Sequence, residues 1–71
     1  MALIWKIAMH SNWHELDSGT ANAVKKYWAN SSQGWYVSDS FQRQPVYICF
    51  PAMEIVHNNT VYTIAQFYVD A

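Results

Sequence analysis

The chain opens on an alternation of apolar and other residues. From Ala2 to His10 the odd positions Leu3, Trp5, Ile7 and Met9 are apolar, while Lys6 and His10 fall on the even side. A period of two predicts a strand with one face in a core. Ser11 to Gly19 breaks the pattern, with turn-forming residues around Trp13 and Leu16. It reads as a connection that anchors two side chains and offers Trp13–Leu16 for a short second strand. After Thr20 the spacing becomes helical, because Ala21, Val24, Tyr27 and Trp28 recur at intervals of three and four. Thr20 is the expected N-cap, and the helix should run to about Asn30 with one stripe on the sheet. Lys25 and Lys26 then take the solvated side. Gly34, closing the polar run from Asn30, is the expected positive-φ residue after the helix.

Trp35–Val37 and Val46–Phe50 are rich in strand formers, and Gln42-Arg43-Gln44-Pro45 reads as the loop between them. Met53–His57 and Thr60–Val69 flank Asn58-Asn59, two residues that tolerate the left-handed backbone of a type I′ hairpin. That turn sets the register as His57 opposite Thr60, Val56 opposite Val61, Ile55 opposite Tyr62 and Met53 opposite Ile64. One face would carry Ile48, Phe50, Ala52, Val56, Val61, Ala65, Phe67 and Val69, and it is the expected core face. The other would carry Tyr47, Cys49, Met53, Ile55, Tyr62, Ile64 and Tyr68. Pro51 cannot donate to a ladder, so it marks an edge or a bulge, and a bulge would swap the faces on its N-terminal side. The resulting fold class is α+β, a small antiparallel β-sheet of about four to five strands packed against one α-helix. Both sheet faces are apolar. The second needs a cover, supplied by the first strand, by the Ser11–Gly19 connection or by another molecule.

A length of 71 residues allows a single compact domain over 1–71 and excludes a two-lobed enzyme. With 52% hydrophobic and only 13% charged residues the chain can offset its conformational entropy and fold. Cys49 is the only cysteine, so no internal disulfide reinforces the small core, which points to oligomerisation. The lone thiol, and a stretch from Met1 to Met9 without a basic leader segment, predict a cytoplasmic protein. No apolar run approaches the length of a spanning helix, so no membrane partner is expected. The net charge is −1, and Lys6, Lys25, Lys26 and Arg43 are mostly scattered, as are Glu15, Asp17, Asp39, Glu54 and Asp70. Direct nucleic-acid binding needs clustered cations, and imitation of DNA needs clustered acids.

Candidate chemistry is sparse. His10 and His14 with Glu15 begin a ligand set, but a closed metal site needs further donors, and only the distant Asp17 or His57 would supply them. Cys49 with a histidine names a thiol and a base, yet its place within Val46–Phe50 reads as that of a buried small hydrophobe. Ser18, Ser38 and Ser40 lack nucleophile-elbow surroundings, and two glycines cannot cradle a phosphate. The expectation is a protein with no catalytic residue, no cofactor and no metal. A small metal- or thiol-dependent enzyme is the least supported class.

What the chain has in surplus is aromatic surface, with four tryptophans and five tyrosines. Such side chains dominate protein interfaces through large, rigid contact area. The leading expectation is therefore a non-enzymatic protein-binding module, its anchors Trp13, Trp35, Tyr36, Tyr47, Met53, Ile55, Tyr62 and Tyr68. Its partner would be another protein, or a second copy in a homodimer. In size and make-up the chain resembles accessory proteins of phages and mobile elements, including anti-CRISPR inhibitors that block a larger host complex. The alternative rests on the order of Trp5, Trp13, a helix ending in Tyr27-Trp28, then Phe50, Met53 and Thr60, which resembles the WWE domain. That resemblance implies a half-barrel with one helix and a binding site for ADP-ribose units. Where the family carries an Asp before the Phe and a Gln two residues after the Met, this chain has Cys49 and Ile55, and its closing strand has no arginine.

Overall fold

The computed structural model describes residues 2–69, so Asp70 lies outside the described residues. The elements in chain order are β1 (Ala2–Met9), β2 (Asn12–Glu15), α1 (Ser18–Ala29), β3 (Gln33–Ser38), a 3₁₀ turn (Asp39–Phe41), β4 (Gln44–Cys49), β5 (Glu54–His57) and β6 (Thr60–Val69). All strands join one antiparallel six-stranded sheet in the order β2-β1-β6-β5-β4-β3. The helix lies against one side of it. β6 is the spine, since its first residues pair with β5 and its remainder, from Ile64, pairs with β1.

The sheet has six strands rather than four to five because the chain turns back immediately after β1. His10 and Ser11 both adopt positive φ, 52° and 66°, and so make a two-residue hairpin turn that lays Asn12–Glu15 against Lys6–Met9. The same geometry recurs at Asn58-Asn59, with φ of 49° and 63°, where the expected register is found from His57 opposite Thr60 to Glu54 opposite Thr63.

The expected faces hold for β4, where Ile48 and Phe50 are buried and Tyr47 and Cys49 lie on the other side, but are reversed for β5 and β6. Phe50–Met53 is a turn, not the continuation of a strand, and it pairs Cys49 with Glu54 and Ile48 with Ile55. Even positions of β4 thus share a face with odd positions of β5, as a disruption at Pro51 would require. The helix covers the face bearing Val46, Ile48, Ile55, Ile64, Ile7 and Trp5, all buried. Val56, Val61, Ala65 and Phe67 lie on the opposite face. The branched side chains of Ile48, Ile55 and Ile64 fill the layer between sheet and helix, where Val24 and Thr20 of α1 are fully enclosed.

The helix begins earlier than Thr20. Asp17 is the N-cap, its Oδ2 accepting from the Thr20 backbone N–H at 3.1 Å. Its Oδ1 accepts from the Ser40 N–H at 3.0 Å and from the Ser40 hydroxyl, while the Asp17 N–H donates to Ser40 Oγ at 3.0 Å. Thr20 uses its hydroxyl differently, 2.6 Å from Ser38 Oγ in the interior. One carboxylate therefore ties the helix start to the end of β3. Burial pushes this carboxyl upward, but the hydrogen bonds from Ser40 and Thr20 outweigh that effect and hold it below its ordinary value of 3.8. At the other end Asn30 caps the helix and Ser31, not Gly34, takes the left-handed conformation, with φ of 48°. Gly34 is a β3 residue against which the Tyr27 ring packs. No helix among the described residues is long and apolar enough to cross a membrane.

Candidate protein-binding face

The uncovered face is set by strand parity. β1 contributes Ile4, Lys6 and Ala8, β6 contributes Val61, Thr63, Ala65, Phe67 and Val69, and β5 contributes Glu54 and Val56, all pointing away from α1. At one edge Trp13 of β2 meets the Phe67 ring edge-to-face, centroids 5.1 Å apart, and Lys6 Nζ lies 5.2 Å from the same ring. At the other edge Trp35 of β3 meets Tyr47 of β4 edge-to-face, again at 5.1 Å. Val56 and Val61, opposite each other, lie between these pairs. Trp35 is 68% exposed, Val37 59%, Val61 55% and Trp13 44%. Values this high, on residues of this size, mean that among the described residues no segment covers these side chains. Neither expected cover serves, since the first strand joins the sheet as β1 and the Ser11–Gly19 connection forms β2 and the lead into α1.

Of the anchors expected from sequence, Trp13, Trp35 and Tyr47 share this face, Trp13 at its β2 edge and Trp35 with Tyr47 at its β3 edge. Ile55 does not, being fully buried beneath the helix. Tyr36, Met53 and Tyr62 are partly buried against the core on the helix side, Tyr62 beside Phe41 at 5.4 Å. Tyr68 is exposed, but on the helix side, opposite Leu3 in the ladder. Phe67, Val61, Val37 and Lys6 belong to the uncovered face and were not among those anchors. Val37 shares the face of Tyr47 through the β3–β4 ladder, while the parity of Phe67, Val61 and Lys6 with Tyr47 follows only once the Phe50–Met53 turn is known.

The remaining chemistry-bearing groups do not converge. His10 and His14 are both exposed, and among the described residues no group of three or more His, Cys, Asp or Glu side chains could hold a metal ion. His57 Nε2 lies 2.6 Å from Gln44 Oε1 at the far end of the sheet. Cys49 is half-buried on the uncovered face, where its Sγ donates to Gln33 Oε1 at 3.2 Å. It is thus not the enclosed core residue that its apolar neighbours predict. No family model matches the chain, nor does any curated protein or solved structure.

Proposed function

We propose that the chain is a non-enzymatic protein-binding module whose contact surface is the sheet face turned away from α1. The observation that carries this reading is that Trp13, Trp35, Val37 and Val61 are all exposed on one face that no segment among the described residues covers. Large exposed apolar and aromatic side chains on one face favour an interaction site, and edge-to-face aromatic pairs supply rigid anchors for a partner. The finer reading, an inhibitor of phage or mobile-element type that blocks a larger host complex, draws on the small size and apolar make-up of the chain. Affinity capture with the intact chain, repeated with Trp35→Ala and with Val61→Lys, tests the surface. Capture should be lost in both variants and kept in Trp28→Ala, whose ring lies on the helix. Sedimentation over a range of concentrations separates a second copy from a different protein. Capture unchanged by both face variants would refute the assignment.

A second reading, a small-ligand domain of WWE type with ADP-ribose as its ligand class, is favoured by the layout of one helix against one antiparallel sheet. It is also favoured by a cavity lined by Met9, Ser40, Phe41, Gln44, His57 and Tyr62. Neither Lys nor Arg lines that cavity, which weakens it as a diphosphate site. Titration with ADP-ribose distinguishes the readings directly, since binding should shift the resonances of His57 and Tyr62 in one case and none in the other.

A further inference from the structure

β3 is the edge of the sheet nearest the helix. Its register against β4 runs unbroken from Gln33 opposite Cys49 to Ser38 opposite Gln44, and its sequence, QGWYVS, contains neither a charge nor a proline. Sheet edges of this kind are ordinarily guarded by lysine, proline or a bulge, because unpaired backbone groups template another strand. β2, the opposite edge, is shorter and carries His14 and Glu15.

The direction of the free groups follows from Pro45. Lacking an N–H, Pro45 cannot exchange hydrogen bonds with Val37 across the ladder, so the two form a non-hydrogen-bonded pair. By alternation Trp35 with Tyr47 and Gln33 with Cys49 are pairs of the same kind. The backbone N–H and C=O groups of Gln33, Trp35 and Val37 then point away from β4. Consistent with this, the Trp35 carbonyl is reached from the helix by the Tyr27 hydroxyl, at a long 3.4 Å. Beside this edge α1 leaves a groove of ≈ 440 Å³ lined by Gly19, Asn22, Ala23, Lys26, Tyr27 and Tyr36. Lys26 is the one charged side chain in that lining.

We propose that the β3 edge accepts an extended segment of another protein as an added strand, with an acidic residue of the segment facing Lys26. Alternate side chains of the segment would enter the groove beside α1, and the others would lie next to Trp35 and Val37 on the uncovered face. The proposal rests on the protein-binding reading and names the form in which the partner presents itself. Charge selects this occupant over a second copy. Two β3 strands set edge to edge would place both helices on the same side of the joined sheet, and neither strand would bring an acid to Lys26, since QGWYVS contains none.

The test uses a displayed library of random linear peptides, selected against the immobilised full chain, followed by fluorescence anisotropy with the enriched peptides. Enriched sequences should carry an Asp or Glu among alternating β-branched residues. Val37→Pro, which removes an outward N–H from an edge position, should weaken binding by about tenfold. Lys26→Glu should reverse the charge preference, and Lys25→Glu, on the side of α1 that faces Leu3 and Trp5 instead of the groove, should bind as the parent does. N-methylation of alternate peptide nitrogens removes the same ladder from the ligand side, so the edge remains testable even if Val37→Pro fails to fold. Failure to enrich any peptide overturns the proposal, as does binding that survives both N-methylation and Lys26→Glu. Peptides whose binding is instead lost in Trp13→Ala place the partner on the open face, which overturns the edge site and leaves the protein-binding reading standing.

Discussion

The reversed face assignment makes a sharp prediction at two adjacent residues. Ile55 is fully buried between sheet and helix, opposite Ile48, whereas Val56 is half-buried on the uncovered face opposite Val61. Ile55→Ala removes Cγ1, Cγ2 and Cδ1 from the core, about 0.8 kcal/mol each, or about 2.4 kcal/mol of lost transfer energy. A residual cavity adds to this, because the neighbouring isoleucines are held by their own strands, and the total comes to about 3–4 kcal/mol. A chain of this length carries roughly 4–10 kcal/mol in all. With about 4–8 °C of melting temperature per kcal/mol for a small domain, Ile55→Ala should lower Tm by about 12 °C at the least. Val56→Ala, relieved of a side chain already in contact with water, should cost about 1 kcal/mol or less. Urea titrations followed by tryptophan fluorescence give both values under one set of conditions. A larger loss for Val56→Ala than for Ile55→Ala would show that the helix packs on the other face and would remove the basis for the proposed contact surface.

Asp17→Ala should cost about 2 kcal/mol, since it deletes the N-cap and strands the Ser40 donors together. Its carboxyl is held low in the folded chain, so its stabilising contribution is present above the unfolded value of about 3.9 and fades as pH falls through the folded one. Melting curves between about pH 6 and pH 2 should therefore show a shallower acid loss in Asp17→Asn than in the parent, and identical acid limbs would refute this role. Gly34→Ala would set a Cβ 2.6 Å from the Tyr27 hydroxyl oxygen and 3.0 Å from Cζ. A loss of about 1–2 kcal/mol is expected, partly recovered with Tyr27→Phe, and a neutral Gly34→Ala would disprove the contact. Trp35→Ala should leave Tm within a few degrees of the parent, because a side chain 68% exposed contributes little to the fold, and a cooperative collapse would contradict its surface role.

Local signals in the sequence carried the elements well. The alternation of Leu3, Trp5, Ile7 and Met9 marked β1, and Asn58-Asn59 marked both a turn and its register. The hairpin at His10-Ser11 was not legible, since neither residue belongs to the glycine and asparagine pairs that ordinarily announce two positive φ angles. Asp17 and Thr20 are both competent caps. What decides between them is the tertiary bond from Asp17 to Ser40, 23 residues distant, which no local pattern encodes.

The faces illustrate a different limit. Within each strand the alternation was correct, and Ile55 with Tyr62 and Val56 with Val61 are indeed pairs. Parity within a strand does not say which side a helix will cover when both sides are apolar. That choice passes through the Phe50–Met53 turn, which brings Ile48 across from Ile55 and so assembles the branched side chains into one layer. A single twelve-residue helix can cover only one side of six strands, so an apolar surplus on the other side follows from composition and topology together. Composition thus foretells that an open apolar face exists, while the turn determines that its members are Trp13, Trp35, Val61 and Phe67 rather than Ile55 and Tyr62. The candidate site was legible in its residue types but not in its location, because on one edge strand Tyr36 packs against the core while Trp35 beside it is exposed, and which neighbours each recruits is set by the face it takes.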